Sequence, residues 1–359
     1  MITLTIPSKI HDYSVSIFEH SSYIEELLKI EGSIFVIDRV VYNLYSYLFS
    51  SLPNDKIFLI DAVEEKKNID SVIQLYNFTL QFNERKHLTL VSFGGGIVQD
   101  ITGFVASTLY RGIRWIYFPT TLLAQADSCV GSKTSLNFES FKNTIGTFYP
   151  PHSVNICTEF LNTLSADAIC SGIGEIIKFM ILDDQCEASI YDIKNIVSNI
   201  KNRKIYLAAL EHTHRIKKSY ITQDEFDIGK RNLFNYGHCF GHALEYSSDY
   251  KISHGVAVTI GMLFANIISL SRNLISIQCF NDLKNELLLP NIIVSTLDRR
   301  YFSDMKLLSA MRKDKKRVGN KLSIIMLTSD KFTAAKFDDL SDDEFLFALS
   351  KLIAIFEID

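Results

Sequence analysis

Three histidines and a glutamate form the clearest chemical pattern in the sequence. The segment NYGHCFGH places His238 and His242 four residues apart, and His254 follows further along. Residues four apart share a helix face, and two imidazoles with a carboxylate from a neighbouring helix make a zinc site with a position open for substrate. Glu175, which shares a helix face with Lys178, is the candidate carboxylate. Spacing alone equally fits core or surface histidines without a metal.

A basic, amide-rich stretch occupies the middle of the chain. It contains, in order, Arg111, Lys133, Thr134, Lys142 and Asn143. These residues stand among small and turn-forming residues, whereas a solvated helix face would show acid–base pairs four residues apart. The pattern indicates ligands for an anion, with ordinary surface lysines as the alternative.

A run of three glycines follows a short apolar stretch. Gly94, Gly95 and Gly96 come directly after a predicted strand, Leu88–Phe93, and before a helix predicted to begin near Val98. Such a loop lets a phosphate approach the backbone amides at the positive end of a helix dipole. The run is not a G-x-G-x-x-G motif, so a simple tight turn is the alternative.

Two further histidines have a less specific setting. His212 and His214 stand in a run with Arg215, Lys217 and Lys218. From the residues alone, this run predicts a solvated helix face.

The elements that must position these residues alternate in type through the first half of the chain. Short β-branched runs predict strands at Ser33–Ile37, Lys56–Ile60, Leu88–Phe93 and Trp115–Phe118, with helical stretches between most of them, notably Ile69–Phe82. This alternation predicts a mainly parallel sheet covered by helices on both faces.

The second half predicts helices almost throughout. Long amphipathic stretches occur at Ala166–Leu182, Asp192–Gln223 and Val256–Ser271. Only Lys321–Leu327 differs, because it has the pattern of a late strand or of an apolar segment packed on the body.

Length and charge limit the class of protein. The chain of 359 residues exceeds the ~250–300 residues of a single core, so we expect an α/β domain at 1–160 and a helical domain at 161–359, tightly packed at their boundary. The net charge of −4, with interspersed signs, argues against a polybasic surface for nucleic acid or membrane.

Cysteine usage and the apolar segments indicate the cytoplasm. The six cysteines include no C-x-x-C pair, which argues against a disulfide framework and a thiolate zinc site. The first residues alternate like a strand and lack the pattern of a signal peptide. The uncharged run Gly255–Ser271 falls short of the ~20 apolar residues that span a bilayer, and it predicts a buried core helix.

Longer motifs occur in order along the chain and are far more specific together than singly. They are SFGGGIVQDITGFVAS, YRGIRWIYFPTTLLAQADSCVGSKTSLN, KNTIGTFYPP, GIGEIIKF, RNLFNYGHCFGHALE and SHGVAVTIGM. With them the chain resembles the 3-dehydroquinate synthases, within the wider sugar-phosphate cyclase family. Glu64 and Lys67 match that family's Gly-Glu-x-x-Lys cofactor motif, with Val63 in place of the glycine, and the resemblance extends to Asp314-Lys315-Lys316.

The resemblance implies a dehydroquinate-synthase-like fold: a Rossmann-like α/β domain that binds NAD, an all-α domain that binds metal, and an active site in the cleft between them. The implied NAD ligands are Glu64, Lys67, Gly94, Gly95, Gly96, Asp100, Thr120, Thr121, Asp127 and Lys142. The implied ligands of Zn²⁺ (or Co²⁺) are Glu175, His238 and His254. The implied substrate ligands are Lys133, Asn143, Lys178, Lys217, Arg231, Asn235, His242 and Lys315, with Arg111 reaching in from the partner subunit of a homodimer.

The implied reaction cyclises the sugar phosphate DAHP to 3-dehydroquinate with loss of phosphate, a carbon–oxygen lyase step of the shikimate pathway to the aromatic amino acids. Transient oxidation by NAD, aided by the metal, acidifies a neighbouring C–H bond, and NAD is then regenerated. Because the phosphate can take that proton itself, cationic and amide side chains need only hold the anion in place. The expected partner is this small molecule, with no nucleic acid and no membrane.

Four further positions, besides Val63, depart from the family's pattern. Asp227 stands where the family has an active-site glutamate, so the resemblance implies a catalytic-site carboxylate that is shorter by one methylene. Val256 also stands where glutamate is usual, and Gln99 and Ser132 replace glycines. These changes leave open a related cyclase that makes aminodehydroquinate, 2-deoxy-scyllo-inosose or a valiolone-type ring. The residues that favour a substrate with a carboxylate are Lys217, Arg231, Asn235 and His242.

Two other classes also fit parts of the pattern. A catalytically dead homologue kept as a binding partner is disfavoured because the metal-ligand set Glu175, His238 and His254 is intact. A plain NAD-dependent alcohol dehydrogenase with a helical metal domain would not need the anion-binding set Lys133, Lys142, Asn143, Lys217 and Arg231.

Overall fold

A computed structural model describes residues 2–27, 29–83, 87–139, 141–184, 188–312 and 322–358. The chain divides into two compact units. The first unit contains Met1–Leu164 and Lys217–Asp227, and the second contains Ser165–Ile216 and Ile228–Asp359. Lys315, a predicted substrate ligand, lies outside the described residues.

The first unit is built on a sheet of short, largely apolar strands. The strands are β1 (Ile2–Ile6), β2 (Tyr13–Phe18), β3 (Ser33–Asp38), β4 (Ile57–Ile60), β5 (Thr89–Gly94), β6 (Arg114–Pro119), β7 (Lys133–Phe138), β8 (Phe141–Phe148) and β9 (Ser153–Cys157). Within the described residues the sheet order is β1-β2-β9-β6-β5-β3-β4, and β7 pairs with β8 in a separate hairpin. Neighbours in the sheet are parallel except β1 with β2, so the predicted mainly parallel sheet is confirmed.

Helices accompany this sheet, and the central strands are buried. The helices are α1 (Ser22–Leu27), α2 (Arg39–Leu44), α3 (Ser46–Phe49), α4 (Ile69–Thr79) and α5 (Gly96–Thr108). Every residue of β5 is buried, and its Phe93 stacks on Phe118 of β6 with ring centroids 4.2 Å apart. The last pair in this register joins Gly94 to Pro119. The two strands therefore end side by side, and the segments that follow them emerge together.

Strands that carry polar residues were only partly predicted, because the strand-like alternation of the first residues was recognised but the β7–β8 hairpin was not. The N-terminal alternating segment folds as two antiparallel strands, β1 and β2. The β7–β8 hairpin was interpreted only as a ligand-bearing stretch, because polar residues interrupt its apolar alternation. Its first strand buries Thr134 and Leu136 but leaves Lys133 exposed.

The second unit is mostly helical. Its helices are α6 (Ala166–Ile181), α7 (Ile190–Ser198), α8 (Arg203–Gln223, whose last residues belong to the first unit), α9 (His238–Ser247), α10 (His254–Ser271), α11 (Ile277–Asp282), α12 (Asp304–Arg312) and α13 (Asp342–Phe356). The predicted late strand is present as β10 (Leu322–Leu327), and it pairs with β11 (Ala334–Leu340) in a hairpin that the sequence did not predict.

Helix α10 is the centre of this unit. Among the described helices it alone has the length and apolar composition to cross a membrane, and 83% of the window concerned is buried inside the protein. The prediction of a buried core helix for Gly255–Ser271 is confirmed.

The predicted helical stretch Asp192–Gln223 is interrupted. Asn199 ends α7, and the side chain of Asn202 accepts a hydrogen bond from the amide of Lys204 at the start of α8, as a capping residue does. The prediction of a solvated face on α8 is wrong for His214, which is fully buried, and for Lys217, which is 5% exposed. The polar and charged residue types of this segment predicted exposure, because the partners that bury them lie far away in sequence.

Candidate active site

Glycines let three helices of the second unit approach closely. A Cβ atom added to Gly255 would lie 1.8 Å from the carbonyl oxygen of Ser171, and one added to Gly174 would lie 2.4 Å from the carbonyl oxygen of Gly255. Gly237 has a φ of +81°, which favours glycine, and a Cβ there would lie 2.5 Å from the oxygen of Val258. Each of these glycines adjoins a predicted metal ligand, namely His254, Glu175 and His238 respectively.

This packing brings an acid and three imidazoles together. Glu175 is fully buried, and its Oε1 lies 3.5 Å from Nε2 of His238 and 3.6 Å from Nε2 of His254. Ligand atoms of His238, His242 and His254 all lie within 4.8 Å of one another. Oε1 of Glu175 has no hydrogen-bond partner. A buried carboxylate oxygen in this condition is costly unless a cation or a proton satisfies it.

Two imidazoles are oriented by bonds on their far sides. Nδ1 of His238 lies 3.3 Å from the carbonyl oxygen of Tyr236, which can only accept, so this nitrogen carries the proton. Nδ1 of His254 lies 3.1 Å from Oε2 of Glu245, a carboxylate that is 3% exposed. Burial, reinforced by the Lys178 ammonium and the other two imidazoles, holds the pKa of His238 well below its usual range. Two imidazoles with Nε2 directed at one carboxylate suit a divalent metal.

Two cationic side chains accompany this cluster: Lys178 contacts it, and Arg231 precedes His238 by seven residues. The ammonium of Lys178 contacts Oε2 of Glu175 and lies 4.6 Å from the ring centre of Phe179. Arg231 is 6% exposed and belongs to a 3₁₀ turn, Lys230–Asn235. Asn235, at the end of the same turn, donates to the carbonyl oxygen of Asn232. A buried guanidinium of this kind suits a carboxylate or phosphate.

A polar network in the first unit joins several predicted ligands. Lys67 is 5% exposed, and its ammonium donates to Asp100 (3.1 Å) and to Oδ1 of Asn143 (2.5 Å). Burial raises the pKa of Asp100, while the Lys67 charge and two bonds from Ser135 oppose that rise. Oε1 of Glu64 lies 3.7 Å from the ammonium groups of both Lys67 and Lys142. The structure thus joins four predicted NAD ligands to Asn143, which was assigned to the substrate.

The glycine run forms the turn between β5 and α5. A Cβ on Gly94 would lie 2.4 Å from a methyl carbon of Val98, and one on Gly95 would lie 3.1 Å from a methyl carbon of Thr121. Gly94 is therefore required by packing. An added Cβ on Gly96 has no neighbour closer than 3.9 Å, which leaves the start of α5 open to a ligand.

The segments after β6 and β3 complete this edge of the sheet. Thr120 donates from its amide to the carbonyl oxygen of Gly94. Asp38 ends β3 and accepts a hydrogen bond from the amide of Val40, and burial raises its pKa. The sequence analysis missed Asp38, although an acid directly after a predicted strand was a usable signal, since this is where dinucleotide-binding sheets place the acid that contacts a ribose.

Residues 217–227 belong with the first unit, although the sequence placed them in the helical domain. The ammonium of Lys217 donates to the carbonyl oxygen (2.6 Å) and the carboxylate (2.5 Å) of Asp127. Oδ2 of Asp227 lies 2.6 Å from the ammonium of Lys133. These bonds attach residues 217–227 to the first unit. They also join two predicted substrate cations to two carboxylates.

Arg111 stands apart from these groups. It is exposed on a turn where Tyr110, Arg111 and Gly112 all have positive φ values, of 50°, 66° and 123°. Such a turn is strained for side chains other than glycine and directs Arg111 outward.

A surface cavity of about 570 Å³ is unrelated to these residues. It is lined by residues at the starts of β3 and β4, including Ser33 and Lys56. Ligands of open α/β sheets bind at the opposite, carboxyl ends of the strands, where the polar network lies.

Comparison with known proteins identifies the family. The model of the 3-dehydroquinate synthase N-terminal family matches residues 57–171, and the model of the 3-dehydroquinate synthase C-terminal family matches residues 172–317. The chain belongs to the 3-dehydroquinate synthase family. The resemblance inferred from the motifs is confirmed.

Individual relatives cover most of the chain. A 3-dehydroquinate synthase of Clostridium tetani is 38% identical over 258 residues, 69% of this chain and 69% of that protein. One from Streptococcus equi subsp. equi is 31% identical over 352 residues, 94% of this chain and 95% of that protein. The match to this relative therefore extends over nearly its whole length.

A solved structure shares the fold. ValA, a 2-epi-5-epi-valiolone synthase from Streptomyces hygroscopicus subsp. jinggangensis with NAD⁺ and Zn²⁺ bound, superimposes with a TM-score of 0.83 at 22% identity, covering 97% of this chain and 99% of that one. The predicted dehydroquinate-synthase-like fold class is confirmed.

Proposed function

We propose that this protein is a 3-dehydroquinate synthase, a lyase that converts DAHP to 3-dehydroquinate and phosphate. The observation that carries the proposal is the buried oxygen Oε1 of Glu175, placed 3.5–3.6 Å from Nε2 of both His238 and His254. A catalytically dead homologue has no use for a buried, unsatisfied carboxylate of this kind.

The metal ligands would be Glu175, His238 and His254, holding Zn²⁺ or Co²⁺. When bound, the metal lowers the cost of removing a proton from a substrate hydroxyl. The orphaned Oε1 of Glu175 and the outward-held Nδ1 atoms fit that ion. His242 shares the cluster but is assigned to the substrate.

The first unit would bind NAD at the carboxyl ends of its strands. When bound, NAD accepts a hydride and later returns it, so it is not consumed. The residues that would hold it are Glu64, Lys67, Gly94, Gly95, Gly96, Asp100, Thr120, Thr121, Asp127 and Lys142, to which we add Asp38 as a ribose ligand. Support comes from the network at Lys67 and from the open start of α5.

The substrate would be held by cations and amides that fix its phosphate and carboxylate. The residues are Lys133, Asn143, Lys178, Lys217, Arg231, Asn235, His242 and Lys315, with Asp227 beside Lys133. Arg231 would bind the carboxylate through its planar fork. The other cations would hold the phosphate against the C–H bond whose proton it removes, so that elimination needs positioning more than a strong base.

Three of the departures from the family's pattern are buried in the fold. The side chain of Gln99 exchanges two hydrogen bonds with Ser128, one to its carbonyl and one from its hydroxyl, and Val256 is buried within α10. Ser132 is 2% exposed. All three are therefore packed into the fold, which supports an unchanged arrangement of the proposed ligands.

Assembly and location follow the family expectation. We propose a homodimer in which Arg111 reaches the partner's active site, and a cytoplasmic enzyme without nucleic-acid or membrane partners. The outward turn at Arg111 supports the first point.

The deciding experiment supplies DAHP, Zn²⁺ and a catalytic amount of NAD⁺ and measures phosphate release. We expect turnover that exceeds the NAD⁺ present many times. Parallel assays with glucose 6-phosphate and sedoheptulose 7-phosphate test the related cyclases, and turnover with only one of those would assign this protein to a different member of the cyclase family. Stoichiometric formation of NADH would indicate a dehydrogenase.

A further inference from the structure

A buried glutamate fastens the segment that carries Asp227. Glu225 is 4% exposed and uses both carboxylate oxygens. Oε1 accepts a hydrogen bond from the hydroxyl of Ser8 (2.6 Å), and Oε2 accepts one from the amide of Lys9 (2.8 Å). A buried carboxylate between a hydroxyl and an amide forms charge-assisted bonds, which are about twice as strong as neutral ones.

The loop between β1 and β2 is shaped to receive this carboxylate. The amide of Ser8 donates to Asp12 at 3.0 Å, and the amide of Ile10 donates to the Ser8 hydroxyl oxygen at 3.1 Å. The Ser8 hydroxyl therefore accepts one bond and directs its own proton at Glu225. The turn is ordered by its own bonds, so it offers a fixed anchor.

The next residue makes a second attachment. The ring of Phe226 lies edge-to-face with Phe148 at 4.9 Å, and the ammonium of Lys9 lies 5.4 Å from the Phe226 ring centre. Two consecutive residues thus fasten the chain immediately before Asp227.

Asp227 needs such support. Its φ of +58° lies in the left-handed region, which is strained for most L-residues and which aspartate adopts only occasionally. Its side chain is 8% exposed and bonds to Lys133, whose own side chain is 46% exposed and has room to move. The position of the Lys133 ammonium therefore depends on where the backbone holds Asp227.

We propose that Glu225 is a positioning residue that acts through Asp227 to place the Lys133 ammonium in the anion site. The inference rests on the proposed function, because the anion is the phosphate of the sugar substrate. Glu225 holds the backbone of residues 225–227 in place. Asp227 then positions the Lys133 ammonium, which would bind the phosphate.

A double-mutant cycle tests this dependence. Glu225→Gln keeps one acceptor but presents an NH₂ group to the second donor, and we expect kcat/KM for DAHP to fall about tenfold. In an Asp227→Ala background the same change should cost less than twofold, because the side chain through which it acts is already absent. Equal losses in both backgrounds would overturn the proposal.

The control is another glutamate of the first unit that accepts hydrogen bonds, although its side chain is 30% exposed. Glu159 accepts a bond from the amide of Ser21 (2.9 Å) and contacts Nδ1 of His20 (3.0 Å), and it adjoins no predicted ligand. Glu159→Gln should leave kcat/KM unchanged. Should Glu225→Gln fold poorly, Ser8→Ala removes one of its two bonds and should lower kcat/KM in the same direction by a smaller factor.

A measurement that does not depend on turnover tests the role of Glu225 separately from the proposed function. Amide hydrogen exchange in residues 217–227 should be faster in Glu225→Gln than in the wild type, with exchange elsewhere in the sheet unchanged. An inactive wild type would refute the proposed function alone. An active wild type with additive losses, or with unchanged exchange in this segment, would refute the role of Glu225.

Discussion

Nδ1 of His254 lies 3.1 Å from Oε2 of Glu245, a carboxylate buried nine residues earlier in the chain. A carboxylate on the far nitrogen fixes the tautomer of a histidine ligand and raises its basicity. Glu245→Gln keeps an acceptor but loses the charge, so we expect Zn²⁺ affinity to weaken about tenfold, measured by competition with a chromogenic chelator. Glu211→Gln, which disrupts an exposed pair with Arg215, is the control and should not change affinity.

The cluster allows two ligand sets that single substitutions separate. If Glu175, His238 and His254 hold the metal, His238→Ala should lose metal and activity together, because sites of three protein ligands rarely hold zinc with two. His242→Ala should lose activity but keep stoichiometric metal by elemental analysis. Loss of metal from His242→Ala would instead favour the set of three histidines.

The sequence predicted the proposed metal ligands but not the residues that orient them, and the close helix contacts at two glycines explain why. The spacing within NYGHCFGH is local, so two histidines could be paired from sequence alone. That His254 and Glu175 join them depends on helix contacts at Gly174 and Gly255, which only the folded backbone shows. Nothing in the sequence indicated which acid would meet His254, so Glu245 was missed.

In the first unit, too, the sequence predicted local patterns but not contacts between distant residues. Apolar runs predicted β3 to β6 because burial of a central parallel strand leaves a local signal. The β7–β8 hairpin carries Lys133 and Asn143, and its polar residues interrupt the apolar alternation that would reveal a strand. The sequence assigned Lys67 to the cofactor and Asn143 to the substrate, but it could not show that the two side chains hydrogen-bond.

Arg231 tests the substrate's carboxylate. Arg231→Lys keeps the charge but loses the planar fork, so we expect turnover of DAHP to fall about 10²-fold, equivalent to about 2.7 kcal/mol of transition-state interaction. Lys230→Arg is the control, since Lys230 lies beside Arg231 but pairs with Asp184 at the surface. Unchanged kinetics in Arg231→Lys would point to a substrate without a carboxylate.

His152 makes the stability of the first unit depend on pH. Burial, together with the nearby His11 and Arg114, lowers the pKa of His152 to about 4. The unfolded chain, in which a histidine has a pKa of about 6.5, then binds more protons than the folded chain between these values. Stability should therefore be full above pH 6.5 and should fall as the pH drops towards 4.

Trp115 reports this change directly, because it is the single tryptophan and its amide lies 3.4 Å from Nδ1 of His152. Urea unfolding followed by its fluorescence at pH 7.5 and pH 5 should show a smaller loss of stability in His152→Asn than in the wild type. The exposed His87 supplies the control, His87→Asn. Equal losses in wild type and His152→Asn would contradict the assignment.

Asp227 is the departure from the family's pattern with the clearest geometric consequence. Its carboxylate bonds to the Lys133 ammonium at 2.6 Å from a backbone in the left-handed region, where aspartate is better tolerated than longer acids. Asp227→Glu extends the acid by one methylene, and the half-exposed Lys133 side chain can move to receive it. We expect DAHP turnover to be kept within about threefold, whereas Asp227→Asn, which removes the charge, should lose about tenfold or more.

If the site is shaped for another sugar phosphate, the longer acid overpacks it and impairs whichever reaction the wild type performs. A steady-state comparison of DAHP, glucose 6-phosphate and sedoheptulose 7-phosphate distinguishes these outcomes. A wild type and an Asp227→Glu variant that both ignore DAHP but cyclise one of the other two sugars would place the chain with a related cyclase.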